Sequence, residues 1–388
     1  MELPVPSRPP ANASSPSSNG VLCPSAATFL FLPCAYTLLF VTALPANVLA
    51  LWVFLRHIST MSPTHVYLSH LSISNLLLSL TTPFLAAYYA QSSVWTLDAG
   101  LCQLLVHGIT PVLHINIYIS LMILTWVALS RFATLIQHTH ASRPSACVTL
   151  LPPAFFSRLK KASFASRVCV SVWVVAVGGI VPVTVYYSVN EAMKGAAGSE
   201  DGGAARGKEL CYSPAVEIGG ILSAAFSVPL IILFFVFYLL VLLSYVTVLR
   251  HIRRSHRNTT IGTSQSLLAK VFRNIVIIQF VLSVCLLPYH VFKPIFISFA
   301  HSRFELTNTP GDVHDRCHPF STYVEVKNCL YLLAALRGST DPVMYFLLDR
   351  TFRQQIFMVF GCKRDKVQDK TMSCSVAGRA SQRLAQQQ

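Results

Sequence analysis

Two residues of opposite charge, Arg337 and Asp341, lie four positions apart inside the apolar stretch 321–348. On an α-helix this spacing places both side chains on one face. Charged side chains in apolar surroundings are costly and are usually paired. We therefore expect Arg337 and Asp341 to pair with each other. The alternative is that Arg337 reaches some other polar group.

A second set of residues brings ammonium, imidazole and phenol groups into apolar stretches, and we expect it to bind a ligand. Lysines this close to an apolar core suit a phosphate or a carboxylate carried by an amphiphile. The alternative is that a lysine pairs with a local carboxylate, since Lys327 has Glu325 and Glu217 as candidate partners. The candidate ligand-binding residues are His114, Tyr118, Tyr289, His290, Lys293, Lys327 and Tyr331.

The sequence carries no pattern that indicates an enzyme or a metal site. The thirteen histidines show no metal-ligand spacing with cysteine, and the HExxH zinc motif does not occur. There is no Gly-rich phosphate loop, and no catalytic triad can be ordered along the chain. We therefore predict no catalytic residue, no cofactor and no metal.

The composition indicates a membrane protein. The 388 residues are 53% hydrophobic and 12% charged, whereas a soluble domain carries roughly 25% charged residues. Backbone groups inside a bilayer must be satisfied within the chain, so an apolar window of spanning length should be helical. Seven such windows occur, at about 26–55, 64–91, 100–130, 167–189, 214–249, 268–300 and 321–348. We predict an all-α membrane protein, a seven-transmembrane helix bundle with a short amphipathic helix after the seventh span.

The third window belongs to a long apolar stretch, 102–132, that also carries polar residues. These are His114, Asn116, Tyr118 and Ser120. A helix with such residues is not expected to face lipid on all sides. The other helices should therefore pack against it.

The net charge of +15 would suit a nucleic-acid-binding protein, but the distribution of the charge argues against that function. Most Lys and Arg residues follow windows one, three, five and seven, whereas most acidic residues lie in the alternate loops. This is the positive-inside pattern of membrane proteins. We predict an extracellular N-terminus, a cytoplasmic C-terminus and no nucleic-acid partner.

The chain divides into three regions. Residues 1–24 are rich in Pro, Ser, Asn and Ala, and we predict a disordered extracellular tail with a glycosylation site at Asn12. Residues 25–361 hold the seven spans and the membrane-surface helix, and residues 362–388 form a cytoplasmic tail. Cys362 follows a basic and aromatic stretch, which favours palmitoylation. A free thiol is the alternative.

Four cysteines lie in the predicted outer segments, where disulfides persist. These are Cys23, Cys102, Cys211 and Cys317. Four cysteines allow three connectivities. Among these we favour Cys102–Cys211, which would pin the long second outer loop to the third helix. Its companion is Cys23–Cys317, which would tie the N-terminal tail to the last outer loop.

Several residues fall in the helices and in the order that one receptor family shows. They are Asn47, Leu71–Asn75, Arg131, Trp173, Tyr245, Cys285–His290 and Asp341–Tyr345. With its seven helices, the region 25–361 resembles a rhodopsin-like (class A) G-protein-coupled receptor. The run Asn116–Ser120, followed eleven residues later by Arg131, resembles the purinergic-like branch of that family, which senses nucleotides and lipids.

The resemblance implies a multi-pass plasma-membrane receptor that transmits an extracellular signal to a heterotrimeric G protein. Its ligand would be an anionic lipid or a nucleotide-like molecule. Because Pro288 removes a backbone donor, it would provide the kink for an opening motion of the sixth helix. The resemblance assigns coupling and activation to Ser130, Arg131, Tyr245, Pro288, Asp341, Pro342 and Tyr345.

One departure from the family pattern concerns the polar core of the bundle. The family usually has Asp at the position of Asn75, and that carboxylate binds an internal sodium ion. We hypothesise that Arg337 supplies the positive charge here, with Asn75 and Asn116 as neutral partners. The polar core would then comprise Asn47, Asn75, Asn116, Ser120, Arg337 and Asp341.

Two further departures concern activation. The family usually has Asp at the position of Ser130, where it holds the neighbouring Arg131 in the resting state. Its absence predicts a weakened resting lock and signalling without ligand. Leu286 replaces the usual aromatic toggle. Both departures also fit an alternative function, a non-coupling, receptor-like decoy or partner that modulates another membrane protein.

Overall fold

The computed structural model describes residues 22–58, 61–92, 101, 104–140, 157–183, 185–186, 189–190, 212, 214–218, 220–257, 262–306, 317–360, 362–363 and 373–374. The predicted glycosylation site Asn12 and the predicted disulfide Cys102–Cys211 lie outside these residues, so both stay predictions. Palmitoylation of Cys362 also stays a prediction.

Within the described residues, seven long helices follow one another in the order of the predicted spans. Helix α1 comprises a π-helical turn, Ala27–Phe31, and an α-helix, Leu32–Arg56. Helix α2 is Pro63–Ala90, and α3 is the π turn Leu104–Ile109 with the α-helix Thr110–His140. Helix α4 is Ala162–Val174 with the π turn Val175–Ile180, and α5 is Ile221–Arg257. Helix α6 comprises Gly262–Val281, the π turn Leu282–Leu286 and Leu287–Leu306, and α7 is Ser321–Leu348.

Three smaller elements complete the described architecture. A five-residue helix, Pro214–Ile218, precedes α5 and is called the short helix below. Helix α8, Arg350–Val359, follows α7 after the single residue Asp349. Strands β1 (Cys362–Lys363) and β2 (Ser373–Cys374) form a two-residue antiparallel pair. Helices therefore dominate, which confirms the predicted all-α class and the predicted helix after the seventh span.

Six helices, α1 to α6, are long and apolar enough to cross a membrane. Helix α7 has 28 residues, which is also sufficient length, but it carries the charged residues Arg337 and Asp341. Both side chains are fully buried inside the bundle. The charges of α7 therefore face other helices and do not conflict with a membrane position.

Helix α3 occupies the middle of the bundle, as its polar residues predict. In its most apolar window, 78% of the residues are buried inside the protein, against 22% in α4 and in α5. Exposed apolar side chains such as Val174 on α4 and Leu243 on α5 cover the outer surface. Helices α4 and α5 thus face lipid while α3 faces other helices.

Polar side chains define where two of the helices begin. Helix α2 starts with a capping box, in which Ser62 accepts from the His65 N–H and His65 accepts from the Ser62 N–H. Pro63 occupies the first turn, where its missing N–H costs nothing. Helix α8 has Asp349 as its N-cap, and the Asp349 carboxylate accepts from the Phe352 N–H at 2.9 Å.

Contacts between helix ends show that α2 runs antiparallel to α7 and that the end of α2 lies beside the short helix before α5. Tyr88, near the end of α2, donates to Glu217 of the short helix at 2.6 Å. His65, near the start of α2, lies 3.1 Å from Asp349 at the end of α7. These two contacts mark opposite ends of α2, and therefore opposite ends of the bundle.

The predicted disulfide between Cys23 and Cys317 is present. It lies at the end of the bundle where α7 begins, since Ser321 is the first residue of that helix. We call this end of the bundle the disulfide end, and the end with Asp349 the opposite end.

Helices α1, α2 and α7 approach each other closely around Gly338. The Gly338 carbonyl accepts a hydrogen bond from Asn47 Nδ2 of α1 at 2.8 Å. A Cβ atom on Gly338 would lie only 2.9 Å from Cδ2 of Leu78 on α2, a fully buried side chain. Glycine at this position therefore permits the close contact between α2 and α7.

Replacing Gly338 tests this contact. The Gly338→Val substitution should force Leu78 from its position and destabilise the protein by about 1–3 kcal/mol, the typical cost of overpacking. The measurement is the midpoint of thermal unfolding of the purified protein. The matched control is Gly178→Val on α4, where a Cβ meets nothing within 4 Å. Equal effects of the two substitutions would contradict the close packing at Gly338.

Candidate functional site

The centre of the bundle holds an ion pair between Arg337 and Asp341 of α7. Arg337 Nη1 donates to Asp341 Oδ2, and both side chains are fully buried. Arg337 Nη2 donates to Asn75 Oδ1 of α2 at 3.1 Å and to Ser120 Oγ of α3 at 2.7 Å. The guanidinium group therefore joins helices α2, α3 and α7, and the positive charge at the centre of the bundle is that of a side chain.

Asn75 connects the ion pair to α1 and to the opposite end of α7. Its Nδ2 atom lies 2.9 Å from Asp341 Oδ2 and 3.2 Å from both Asn47 Oδ1 and the Tyr345 hydroxyl. An amide can accept from Arg337 and donate to Asp341 at once, whereas a carboxylate can only accept. The amide side chain therefore suits a site that already contains its own cation.

The structure places Asn116 differently from the prediction. Asn116 was expected to contact Arg337, but its Oδ1 accepts from Ser74 Oγ at 2.8 Å and its Nδ2 donates to the Val112 carbonyl at 3.0 Å. The partner of Arg337 on α3 is Ser120, one helical turn further along. Asn116 is connected to the polar core indirectly. Its partner Ser74 has its Oγ 3.3 Å from Oγ of Ser120, which contacts Arg337.

Three of the candidate ligand-binding residues form one hydrogen-bonded group towards the disulfide end. His114 Nε2 lies 2.9 Å from the Tyr289 hydroxyl, and His114 Nδ1 lies 2.7 Å from the Tyr331 hydroxyl. The group therefore links α3, α6 and α7. Lys293 lies over the Tyr289 ring, with Nζ 5.6 Å from the ring centroid.

Two more candidates pack beside this group. The His290 ring stacks on Phe234 of α5, with centroids 3.8 Å apart, and meets Tyr118 of α3 edge to face at 5.6 Å. Among the described residues, His290 Nε2 and the Tyr118 hydroxyl are buried without a hydrogen-bond partner. A polar group of a ligand would satisfy either atom.

Lys327 forms an ion pair with a carboxylate of the protein. Its Nζ lies 2.7 Å from Glu217 Oε2 of the short helix. Glu217 also accepts from Tyr88 at 2.6 Å and from Asn328 at 3.2 Å. Burial alone would raise the pKa of the Glu217 carboxyl, but Lys327, Tyr88 and Asn328 together hold that pKa below its ordinary value of 4.5. The alternative stated for Lys327, that it pairs with a local carboxylate, therefore holds. The partner is Glu217 and not Glu325.

Arg131 near the opposite end of α3 has no ion-pair partner in the part of the chain that the structure describes. Ser130 Oγ donates to the Val127 carbonyl of its own helix at 2.9 Å, so it does not engage Arg131. Tyr245 of α5 stacks on Phe272 of α6, with centroids 5.5 Å apart. Arg131 and Tyr245, to both of which the resemblance assigns a role in activation, form no hydrogen bond with each other in the described conformation.

Asp349 brings negative charge to the region of Arg131. Burial would raise the pKa of the Asp349 carboxyl, but hydrogen bonds from His65 and the Phe352 N–H, with the charges of His65 and Arg131, hold it below the usual range. Arg131 therefore interacts electrostatically with Asp349, which follows α7, but forms no ion pair with it; the weakened resting lock stays a prediction.

The remaining activation residues lie in α6 and α7. Pro288 follows the π turn Leu282–Leu286, whose last bond runs from the Leu287 N–H to the Leu282 carbonyl. The helix is therefore irregular immediately before a residue that cannot donate. Pro342 lies within α7, next to Asp341.

A family model described as 7 transmembrane receptor (rhodopsin family) matches residues 46–345. The chain belongs to this rhodopsin family of receptors. It is 33% identical to Probable G-protein coupled receptor 82 of Homo sapiens over 346 residues, which cover 88% of this chain and 96% of the relative. The mouse protein of that name is 33% identical over 335 residues, with coverage of 86% and 95%. A purinoceptor of Homo sapiens is 27% identical over 320 residues, with coverage of 82% and 73%.

Membership of the rhodopsin family settles the class of function. The protein is a membrane-embedded G-protein-coupled receptor and not an enzyme. Among the described residues, no cluster of three His, Cys, Asp or Glu side chains is placed to hold a metal.

Sequence reasoning missed two acidic residues of this receptor. Asp349 was not considered, although an Asp directly before an amphipathic helix is a recognisable N-cap signal. Glu217 was considered only as a possible partner of Lys327, and its bonds to Tyr88 and Asn328 join positions more than a hundred residues apart. No local pattern could have indicated those contacts.

The internal cation predicts that the receptor does not respond to sodium. Thermal unfolding of the purified receptor should have the same midpoint in sodium chloride as in choline chloride of equal ionic strength, because Arg337 already neutralises Asp341. The Arg337→Gln variant should unfold at a lower temperature and should gain stabilisation by sodium, since Asp341 is then a buried charge without a counter-ion. Stabilisation of the unmutated receptor by sodium would contradict this assignment.

The buried Glu217–Lys327 pair predicts a pH-dependent contribution to stability. At neutral pH, Glu217→Gln should lower the unfolding midpoint by about 5 °C, because Lys327 loses its counter-ion. A carboxyl whose pKa is lowered by folding stabilises the protein above its unfolded pKa, and this contribution disappears as the pH falls through the folded pKa. The difference between the two proteins should therefore shrink below pH 4.5.

The control for this measurement is Glu325→Gln. Glu325 accepts from the Ser25 N–H and the Thr28 hydroxyl, and a glutamine oxygen can accept the same two bonds. The unfolding midpoint of the Glu325→Gln variant should stay within about 2 °C of that of the unmutated receptor. A difference at Glu217 that persists unchanged at low pH would show that the charge is not the cause.

Proposed function

We propose that the receptor binds an anionic, partly apolar ligand at the disulfide end and couples through Arg131 to a heterotrimeric G protein at the opposite end. The observation that carries the coupling is Arg131, a cation held near a helix end without an ion-pair partner among the described residues. An effector that presents carboxylate or carbonyl oxygens there would supply the missing partner.

The proposed orientation places the disulfide end outside the cell. Most Lys and Arg residues follow the first, third, fifth and seventh helices in the sequence, and positive loops favour the cytoplasmic side. The oxidised pair Cys23–Cys317 also suits an extracellular environment. Both observations support an extracellular N-terminus in the plasma membrane.

Lys293 supports an anionic ligand. Its ammonium group is half-buried beside the Tyr289 ring, and no carboxylate pairs with it in the described chain. Lys327 contributes less, because Glu217 neutralises it. Phosphate and carboxylate share the chemistry that Lys293 can recognise, so both an anionic lipid and a nucleotide-like molecule belong to the proposed class. The human purinoceptor among the relatives is by its name a purine receptor.

Coupling would follow from a shift between two conformations of the bundle. In the described conformation Tyr245 stacks on Phe272 and Arg131 is separate from it. Rotation of α6 at the π turn before Pro288 would carry Phe272 away and free Tyr245 to meet Arg131. A ligand that binds the rotated form more tightly would increase its population.

The weak restraint on Arg131 predicts signalling without ligand. Cells that express the receptor should show a raised baseline in a G-protein dissociation assay, and Arg131→Ala should reduce it to the level of untransfected cells. The control is Arg167→Ala, which removes an exposed guanidinium from α4 and should leave the baseline unchanged. Surface expression is measured in parallel, so that a loss of protein is not read as a loss of coupling.

The same assay can contradict the proposal. An equal baseline for the unmutated receptor and Arg131→Ala, at equal surface expression and across all G-protein classes, would show that Arg131 does not couple. The named relatives are all receptors, which gives a non-coupling decoy function no support.

A further inference from the structure

Leu22 is buried although it lies outside every helix. Only 3% of its surface is exposed, and it forms one apolar cluster with Phe296 of α6 and Val324 of α7. Phe292, Tyr212 and Ile218 pack around this cluster. The N-terminal segment therefore places a leucine side chain between the disulfide ends of α6 and α7.

Four contacts hold this segment in position. Cys23 is bonded to Cys317, and the Cys23 N–H donates to Ser321 Oγ at 3.2 Å. The Glu325 carboxylate accepts from the Ser25 N–H at 2.5 Å and from the Thr28 hydroxyl at 2.9 Å. All four contacts lead to α7 or to the residues directly before it, so the segment is fixed to α7 in particular.

Cationic groups border the place that Leu22 occupies. Lys327 Nζ lies 5.6 Å from the centroid of the Phe296 ring, against which Leu22 packs. Lys293 precedes Phe296 by three positions on α6, a spacing that places both residues on one face of the helix. An apolar slot with an ammonium group at its border has the chemistry of a site for an amphiphile with an anionic head.

We propose that Leu22 is a tethered occupant of an apolar subsite between α6 and α7, which the apolar chain of an anionic ligand takes over by displacing it. The subsite comprises Phe292, Phe296 and Val324, and Lys293 binds the anionic group. This inference rests on the proposed receptor function, because it specifies the ligand class of the same end of the bundle.

Displacement of Leu22 has a direct consequence for affinity. A ligand can enter the subsite only when the Leu22 side chain has moved out of it. Its apparent affinity is therefore the intrinsic affinity multiplied by the fraction of receptor in which the subsite is open. Shortening the side chain increases that fraction. The Leu22→Ala receptor should therefore bind an amphiphilic anion more tightly than the unmutated receptor, although the substitution removes a native contact.

The experiment uses the full-length receptor in phosphatidylcholine nanodiscs and the probe n-octyl phosphate. Thermal unfolding is followed as the probe concentration increases. Leu22→Ala should reach the half-maximal rise in unfolding midpoint at about a tenfold lower probe concentration than the unmutated receptor. Octyltrimethylammonium, which has the same chain and the opposite charge, should give neither protein such a rise.

Two variants separate this subsite from general effects of the probe. Leu38→Ala removes an equal side chain from the exposed face of α1, where 64% of Leu38 is accessible, and should respond like the unmutated receptor. Lys293→Ala combined with Leu22→Ala should abolish the rise. A third variant, Cys23→Ser with Cys317→Ser, releases the segment without changing Leu22, and it should also lower the half-maximal concentration.

The proposal is overturned if Leu22→Ala and the released double variant both respond like the unmutated receptor. It is also overturned if the cationic and anionic probes act equally, since membrane insertion would then explain the effect. Neither result affects the proposed coupling, because the baseline assay with Arg131→Ala does not involve Leu22. Loss of the Arg131-dependent baseline with an intact probe response would instead contradict the coupling and retain the subsite.

Discussion

The ion pair between Arg337 and Asp341 imposes a constraint on the whole centre of the bundle. Removing two charges from water costs on the order of several kcal/mol for each ion, and their mutual attraction repays this only when further hydrogen bonds are present. Asn75 and Ser120 supply those bonds. Helices α2, α3 and α7 must therefore keep one relative arrangement, and Asn47 extends the network to α1.

Helix α7 is held by polar contacts along its whole length. At the disulfide end Lys327 and Asn328 bind Glu217, at the centre Arg337 binds Asp341, and at the opposite end Asp349 binds His65. Helix α6 is different, because it contains a π turn and two prolines. The structure thus combines a fixed α7 with an α6 whose hydrogen bonding is interrupted, and this division favours movement of α6.

The sequence was sufficient for those features that depend on local pattern. Apolar windows predicted the seven helices, and the spacing of Arg337 and Asp341 placed both on one face of α7. All four outer cysteines were assigned to one side of the membrane, and among their three connectivities Cys23–Cys317 was favoured as the pair that ties the N-terminal tail to the last outer loop. Asn116 and Ser120 lie on the same face of α3 one turn apart, so only the position of α7 against α3 decides which of the two contacts Arg337. The burial of Leu22 and the contacts of Glu217 depend on segments distant in sequence, so no local pattern encodes them.

The covalent attachment of Arg337 has a consequence for the electrical behaviour of the receptor. Moving one elementary charge across the full membrane potential changes the free energy by about 2.3 kcal/mol per 100 mV. A diffusible cation that enters or leaves a central site couples that site to the potential. The guanidinium of Arg337 belongs to the chain and forms hydrogen bonds with Asn75, Ser120 and Asp341. The positive charge that neutralises Asp341 is therefore fixed to α7, and the membrane potential acts on it only where α7 itself moves.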